Sequence, residues 1–413
     1  MGLLALAIAV FLAVAALDYL VAPSTTDRTL VARGPLPRTW RRLRTRLARI
    51  VAGILAWPHI VDRLLRVHEA EVATTPAEVV LRLGAATLTR YDGPRQGEPV
   101  LLVHSLVAQP WILDLAPGQS LAASLVDAGF DVFLLDWGDP GPDQALLGFD
   151  DHTALLAAVE DHVLEITGEP RIHLVGYCAG GTVALVRSAL LSDYRLGSIA
   201  VIAAPVDCHV PGGMNRALRR RAVKPVLALD ADGCVPAQAI RETFHMLSPR
   251  ALRSVRDGWR IRRQPAPFHA YAALSRWVWE QRRLGGALFF DTVRMVRENA
   301  VVGVLRDGRS GAEARRAGYG LEPLPLLACV AERDHIVPAG STLALAGIEG
   351  LHVDVLRCAG GHVSMLTGAS AGRSLWTELA GWLRGHGAGS VELAGTPRLR
   401  RRRRSASLEA GRP

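Results

Sequence analysis

Lysine is almost missing from this chain of 413 residues: Lys224 stands alone, although lysine and arginine together number 48. Cysteine is scarce as well. The five cysteines are an odd number with no C-x-x-C pair, which argues against a disulfide scaffold and fits a reducing compartment. Cys208, Cys234, Cys329 and Cys358 then read as small buried hydrophobes. Histidine and cysteine fall in no metal-ligand spacing, and no P-loop or G-x-G-x-x-G run follows a strand. No metal and no cofactor is therefore expected. The formal net charge of +9 invites a nucleic-acid reading. However, the arginines gather at the two ends of the chain without interleaved aromatic residues or a reader motif, so no nucleic-acid partner is expected. There is no internal repeat. With 49% hydrophobic and 21% charged residues, the chain can bury a large core.

The first 22 residues contain one long apolar run, Leu3 to Val21, broken only by Asp18. It is long enough to cross or nearly cross a bilayer. It lacks a positive n-region and a clear small-residue cleavage site, so a membrane anchor or interfacial helix is preferred. A cleaved signal and a buried helix remain the alternatives. Residues 23–74 follow as a basic amphipathic linker, with Leu43, Leu47, Ile50 and Ile54 at helical spacing among Arg41, Arg42, Arg46 and Arg49. By the positive-inside rule, these arginines put the downstream domain on the cytoplasmic side. Residues 386–413 read as an Arg-rich disordered tail.

From about Thr75 the text alternates. "EPVLLVHSLV" (Glu98–Val107), "FDVFLLDWG" (Phe130–Gly138), "RIHLVGY" (Arg171–Tyr177) and "GSIAVIAAPV" (Gly197–Val206) are short apolar runs with strand character. Helical patterns separate them at Ser120–Ala128, Asp151–Thr167 and Ala179–Ser192. Strands apolar on both faces, alternating with helices, predict a mostly parallel sheet covered on both sides. The alternation stops after Val206 and resumes at "LPLLACVAERD" (Leu324–Asp334) and "LHVDVLRC" (Leu351–Cys358). The core is thus expected to comprise residues 75–206 and 321–385, with 207–320 inserted as a helical cap.

In "GYCAGG", Cys178 lies where a strand ends and a helix begins, with Gly176 and Gly180 two residues to either side. A tight strand-to-helix turn needs such small neighbours, because backbone from both elements passes close by. The helix N-terminus favours an anionic sulfur, and the Ala179 N–H is expected to donate to an oxyanion. A buried cysteine in a glycine-rich turn is the plainer alternative. A thiol nucleophile needs a base, and the base needs an orienting acid. Asp334 directly follows one strand and His362 lies in a glycine-flanked turn after the next. The order nucleophile, acid, histidine is that of the α/β-hydrolase fold, and each residue follows a strand's C-terminal end. His335 is a weaker base candidate, because adjacent residues cannot readily serve as orienter and base together.

These motifs resemble the polyhydroxyalkanoate (PHA) synthases, most closely the short class III catalytic subunit. The similarity runs from about Glu78 to Leu383. It rests on "GYCAGG", on "WILDLAPGQSLAASLVDAGFDVFLLDWGDP" (Trp111–Pro140), on "APVD" (Ala204–Asp207), on "DHIVP" (Asp334–Pro338) and on "GGH" (Gly360–His362). The resemblance implies that Cys178 carries the growing acyl chain and that His362 activates it. It also implies that Asp334 supports His362 or helps activate the incoming hydroxyl. Ser105 and Leu106, after the first strand of the core, join Ala179 as expected oxyanion or substrate-binding positions. Two departures lie near that loop: Val107, Ala108 and Gln109 stand where the family reads Val-Asn-Arg or Val-Asn-Lys, and Ser364 stands where it tends to glycine.

The expected activity is acyl transfer from a hydroxyacyl-CoA thioester into polyester with release of CoA. Sulfur-to-sulfur transfer keeps the acyl group activated, whereas a serine ester would not. A cap that excludes water suits such chemistry, and Trp277, Trp279, Phe289 and Phe290 are candidates to line an acyl path, with plain packing as the alternative. A cysteine hydrolase on the same fold is the first rival, and a non-catalytic membrane-tethered scaffold is the second. Expected partners are the hydroxyacyl-CoA substrate, a membrane or polyester granule surface, and a second synthase subunit or a second copy of the chain.

Overall fold

The computed structural model describes residues 69–93, 95, 97–190, 195–213, 215, 218, 229–247, 264–307, 324–368 and 370–387. The apolar run Leu3–Val21, the basic linker up to residue 68 and the Arg-rich tail from residue 388 lie outside them. Among the described residues no helix is long and apolar enough to cross a membrane. These residues form two units: 69–72 with 264–279, and 73–247 with 280–387.

The larger unit is built on an eight-stranded sheet. Its strands are β1 (Ala77–Leu83), β2 (Ala86–Tyr91), β3 (Pro99–Val103), β4 (Asp131–Asp136), β5 (Ile172–Tyr177), β6 (Leu196–Ile202), β7 (Leu326–Ala331) and β8 (Val353–Cys358). Their spatial order is β1-β2-β4-β3-β5-β6-β7-β8. β1 and β2 form an antiparallel hairpin whose second strand runs antiparallel to β4, and every pair from β4 to β8 is parallel. β3, β5, β6 and β7 are buried along their whole length, which accounts for their continuous apolar text. β8 closes the far edge, and there Asp354, Val355 and Arg357 reach solvent.

Helices cover the faces. In α1 (Leu121–Asp127), the Ser120 hydroxyl accepts from the Ala123 N–H at 2.9 Å and caps the first turn. α2 (Phe149–Thr167) starts with Asp150 and Asp151 and ends on Gly168 at φ 72°. Its Leu156, Val159 and Val163 pack in one core with Leu101, Phe133, Leu174, Ile199 and Ala328 of the sheet and with Val183 and Val186 of α3 (Ala179–Leu190). Between α2 and α3 lies a fully buried ion pair, Arg187 to Glu160 at 2.6 Å.

The insertion after β6 holds α4 (Ala237–Leu247), α5 (Pro265–Trp279) and α6 (Gly286–Glu298), and a two-residue antiparallel pairing of Cys234–Val235 with Leu284–Gly285. α5 belongs to the smaller unit, where the Arg276 guanidinium donates to the Ala70 carbonyl at 2.9 Å. α6 belongs to the larger one. The Asp291 carboxylate on α6 accepts from the Phe149 N–H at 2.9 Å and so touches the start of α2. The last helix of the chain's described part is α7 (Thr377–Arg384).

Candidate active site

The strand order reverses beside β3, with β4 on one side and β5 on the other, which makes the C-terminal ends of β3 and β5 the topological switch point of the sheet, the place where sites on parallel sheets form. The loop after β5 is the single residue Cys178. It takes φ 54°, a left-handed conformation that side chains rarely adopt, and it links β5 directly to α3. The turn is pinned by the Cys178 N–H, which donates to the Ile202 carbonyl at 2.9 Å, and by the Gly181 N–H, which donates to the Cys178 carbonyl at 3.0 Å. The two flanking glycines are required by contact. A Cβ at Gly176 would lie 2.3 Å from Gly181 Cα, and one at Gly180 would lie 2.3 Å from the carbonyl oxygens of both Val103 and His104. Cys178 is half-buried, whereas the other four cysteines are buried.

Asp334 and His362 reach the same point from the ends of β7 and β8. One Asp334 oxygen accepts from the N–H groups of Ile336 and Val337 at 2.8 and 2.9 Å. The other accepts from His362 Nδ1 at 2.7 Å. Both side chains are almost fully buried. Cys178 is the neighbour that acts most strongly to raise the proton affinity of His362. Burial pushes the imidazole toward its neutral form. That effect is outweighed by the charge of Cys178 and by hydrogen bonds and charge from Asp334 and Cys178, and the balance raises the pKa to about 10. Tyr177 packs its ring 5.2 Å from that of His362, and burial next to Cys178 and Asp334 pushes its phenol well up.

Cys178, Asp334 and His362 are therefore brought together. His335 is not the histidine bonded to Asp334. Ala179 is the first residue of α3, so its N–H belongs to the helix terminus beside Cys178. Ser105 is buried and Leu106 is half-buried against the core, both in the loop that leaves β3 next to Gly180. Ser364 accepts from the Gly361 N–H at 2.8 Å, so the residue that departs from the family pattern braces the turn carrying His362. Phe289 packs against the core, while Phe290 is exposed on α6. On α5, Trp277 is buried and Trp279 is exposed. Among the described residues no group of three or more His, Cys, Asp or Glu is placed to hold a metal.

Sequence reasoning missed the layer behind the β3 loop. His104 is completely buried. Its Nε2 accepts from the Trp137 N–H at 3.4 Å, and its carbonyl accepts from Trp137 Nε1 at 3.0 Å. Burial holds this imidazole neutral, with a pKa pushed down to about 3. Asp136 and the backbone of Ser105 and Ala108 oppose that shift, and Arg282 adds to it. The polar residues at the ends of two apolar strands, "VHS" and "LDWGD", were the available signal.

The α/β-hydrolase fold model, described as alpha/beta hydrolase fold, matches residues 98–369, which span both halves of the core and all three converging residues. The chain belongs to the α/β-hydrolase fold family. Within it, the chain is similar to proteins named poly(3-hydroxyalkanoate) polymerase subunit PhaC. The one from Haloferax mediterranei is 27% identical over 333 residues, covering 78% of this chain and 66% of that protein. The one from Synechocystis sp. is 28% identical over 339 residues, covering 77% and 87%. The one from Allochromatium vinosum is 26% identical over 334 residues, covering 78% and 92%. The resemblance read from "GYCAGG" and its companion motifs is borne out as membership of this fold family and likeness to these polymerases.

Proposed function

We propose that the chain is a polyester-forming acyltransferase that takes 3-hydroxyacyl groups from CoA thioesters onto Cys178. The observation that carries this reading is a half-buried thiol in a left-handed strand-to-helix turn, beside a buried histidine bonded to a buried aspartate. The likeness to proteins named as polyhydroxyalkanoate polymerases supports the substrate class.

The raised affinity of His362 for a proton suits it to hold the proton that the Cys178 sulfur gives up when it attacks. The sulfur attacks the thioester carbonyl, and the oxyanion is met by the Ala179 N–H and the loop at Ser105 and Leu106. Collapse breaks the bond to the CoA sulfur, which leaves with the proton from His362. A hydroxyl of a second hydroxyacyl group then attacks the Cys178 thioester and gives its proton to His362. The new ester forms as the Cys178 sulfur is released. Asp334 keeps Nδ1 occupied, so that Nε2 is the atom that exchanges protons. If water replaces the hydroxyl in the second step, the same site is a hydrolase.

The apolar run Leu3–Val21 and the arginines that follow support attachment to the cytoplasmic face of a membrane or to a granule surface, as part of the same proposal. The relatives' designation as subunits supports a second synthase subunit as partner, with a second copy of the chain as the alternative.

The deciding experiment incubates the purified chain with several 3-hydroxyacyl-CoA esters and scores CoA release against polymer and free acid. Polymer in proportion to CoA supports the synthase. Free acid in that proportion replaces it with the hydrolase. Equal CoA release by Cys178→Ala overturns both.

A further inference from the structure

Two consecutive arginines of the insertion reach the core at the ends of β3 and β4. Arg283 pairs with Asp139 at 3.1 Å and with Asp232 at 2.8 Å on the outer side. Arg282 turns inward. Its guanidinium grips both oxygens of Asp136, one of them at 2.9 Å, and its Nε donates to the Gln109 side-chain oxygen at 3.0 Å. Arg282 is 17% exposed and Asp136 is 22% exposed, so the pair sits largely out of water, where a planar fork fixes geometry as well as charge.

Asp136 and Gln109 belong to two different loops. Asp136 ends β4 and also accepts from the Gly138 N–H at 2.8 Å, which fixes the turn that presents Trp137 to His104. Gln109 ends the loop that starts at His104 and runs through Ser105 and Leu106. The near end of that loop is pinned by packing of the His104 carbonyl against Gly180 and by the two bonds from Trp137. The far end is held by Arg282.

We infer that Arg282 is a positioning residue for the site: by clasping Asp136 and Gln109 together, it holds the 104–109 loop at the distance from Cys178 that an acyl oxyanion requires. The inference rests on the reading of Cys178 as nucleophile. It acts on the carbonyl-addition step and not on the thiol, because none of the groups that Arg282 clasps belongs to Cys178, His362 or Asp334. Gln109, the last of the three residues that stand where the resembling family reads Val-Asn-Arg or Val-Asn-Lys, is the receiving end of a cation supplied from the insertion.

The test compares two reactions of the same sulfur in the full-length chain. Alkylation by iodoacetamide needs the thiolate and no oxyanion contact, whereas acylation by 3-hydroxybutyryl-CoA needs both. Arg282→Ala is expected to slow the first turnover of CoA release by about 10- to 100-fold while alkylation of Cys178 stays within about twofold of wild type. Gln109→Ala keeps the Arg282–Asp136 pair, and its melting temperature is compared with wild type to confirm folding. It is expected to slow acylation in the same selective way, and its effect is expected to vanish in the Arg282→Ala background, since both remove one clasp. Arg282→Lys keeps the charge but not the fork and is expected to fall between wild type and Arg282→Ala. Unchanged acylation in Gln109→Ala and Arg282→Ala would overturn the inference, as would a parallel fall of alkylation and acylation or fully additive effects. Failure of the nucleophile reading shows separately, as CoA release by Cys178→Ala at the wild-type rate.

Discussion

Replacing Gly180 with alanine adds one methyl group where the Cys178 turn meets the β3 loop. The new carbon would lie 2.3 Å from two carbonyl oxygens, those of Val103 and His104, whereas ordinary contact begins at 3.4 Å. Relief therefore needs roughly 1 Å of separation, and because both obstacles are main-chain atoms, no rotamer change supplies it. The cost expected for such overpacking is about 1–3 kcal/mol, or roughly 2–10 °C in melting temperature for a unit of this size. The loss of activity should be larger than the loss of stability. The separated segments carry Cys178 on one side and Ser105 on the other, and a displacement of about 1 Å at a reacting centre costs on the order of 100-fold in rate. Calorimetric melting and CoA release from a 3-hydroxyacyl-CoA measure the two effects. Gly381→Ala is the control: it sits inside α7 with nothing within 4 Å of its Cβ, so it should gain about 0.5–1 kcal/mol and leave turnover unchanged. A Gly180→Ala protein with wild-type melting and wild-type turnover would refute the reasoning.

At the sulfur itself, Cys178→Ala should abolish CoA release, and Cys178→Ser should acylate slowly and fail in chain transfer; efficient polymer formation by the serine variant would contradict the argument for a thioester intermediate. Iodoacetamide should label Cys178 ahead of the other four cysteines, since these are buried and burial pushes the thiols of Cys234, Cys329 and Cys358 up; mass spectrometry of the alkylated protein decides. His362 binds its proton more tightly in the folded chain, with a pKa raised to about 10, so its contribution to stability is complete below about pH 6.5 and is lost as pH climbs through about 10. Cys178→Ala removes the largest of the influences that raise it, so melting curves from pH 6 to 10.5 should show a shallower alkaline decline in that variant, and identical declines would refute the pairing. Removing one partner of the buried Arg187–Glu160 pair, as in Glu160→Ala, should cost roughly 3–5 kcal/mol in urea unfolding, and a cost under about 1 kcal/mol would show that the pair is not the constraint on α2 and α3 that its burial suggests.

The parallel half of the sheet was legible because its strands are buried on both faces and must be apolar throughout. "RIHLVGY" anticipates Ile172–Tyr177 and "FDVFLLDWG" anticipates Asp131–Asp136 to within two residues. The hairpin β1–β2 was not read, since β1 has no buried residue, β2 buries only Ala86, Leu88 and Tyr91, and the two strands mix Glu78, Arg82 and Arg90 with aliphatics, which leaves no continuous run. The three converging residues were legible for a different reason: a nucleophile, an acid and a histidine each follow a strand, and a parallel sheet gathers strand ends at one rim. The clasp behind them was not. Arg282 and Asp136 are 146 positions apart, and an arginine in an Arg-rich insertion carries no local mark of its partner. His104 was passed over because a histidine between apolar residues has no pattern that distinguishes burial from function.

The two oxygens of Asp334 have separate duties, one held by main-chain amides and one holding His362. The aim of the imidazole is thus tied to the course of the backbone from 334 to 337, which fixes the carboxylate that holds it. The loop 104–109 and the insertion can accumulate substitutions without rotating the histidine. For descendants of such a chain, the orientation of the histidine and the fit of the 104–109 loop are separately heritable.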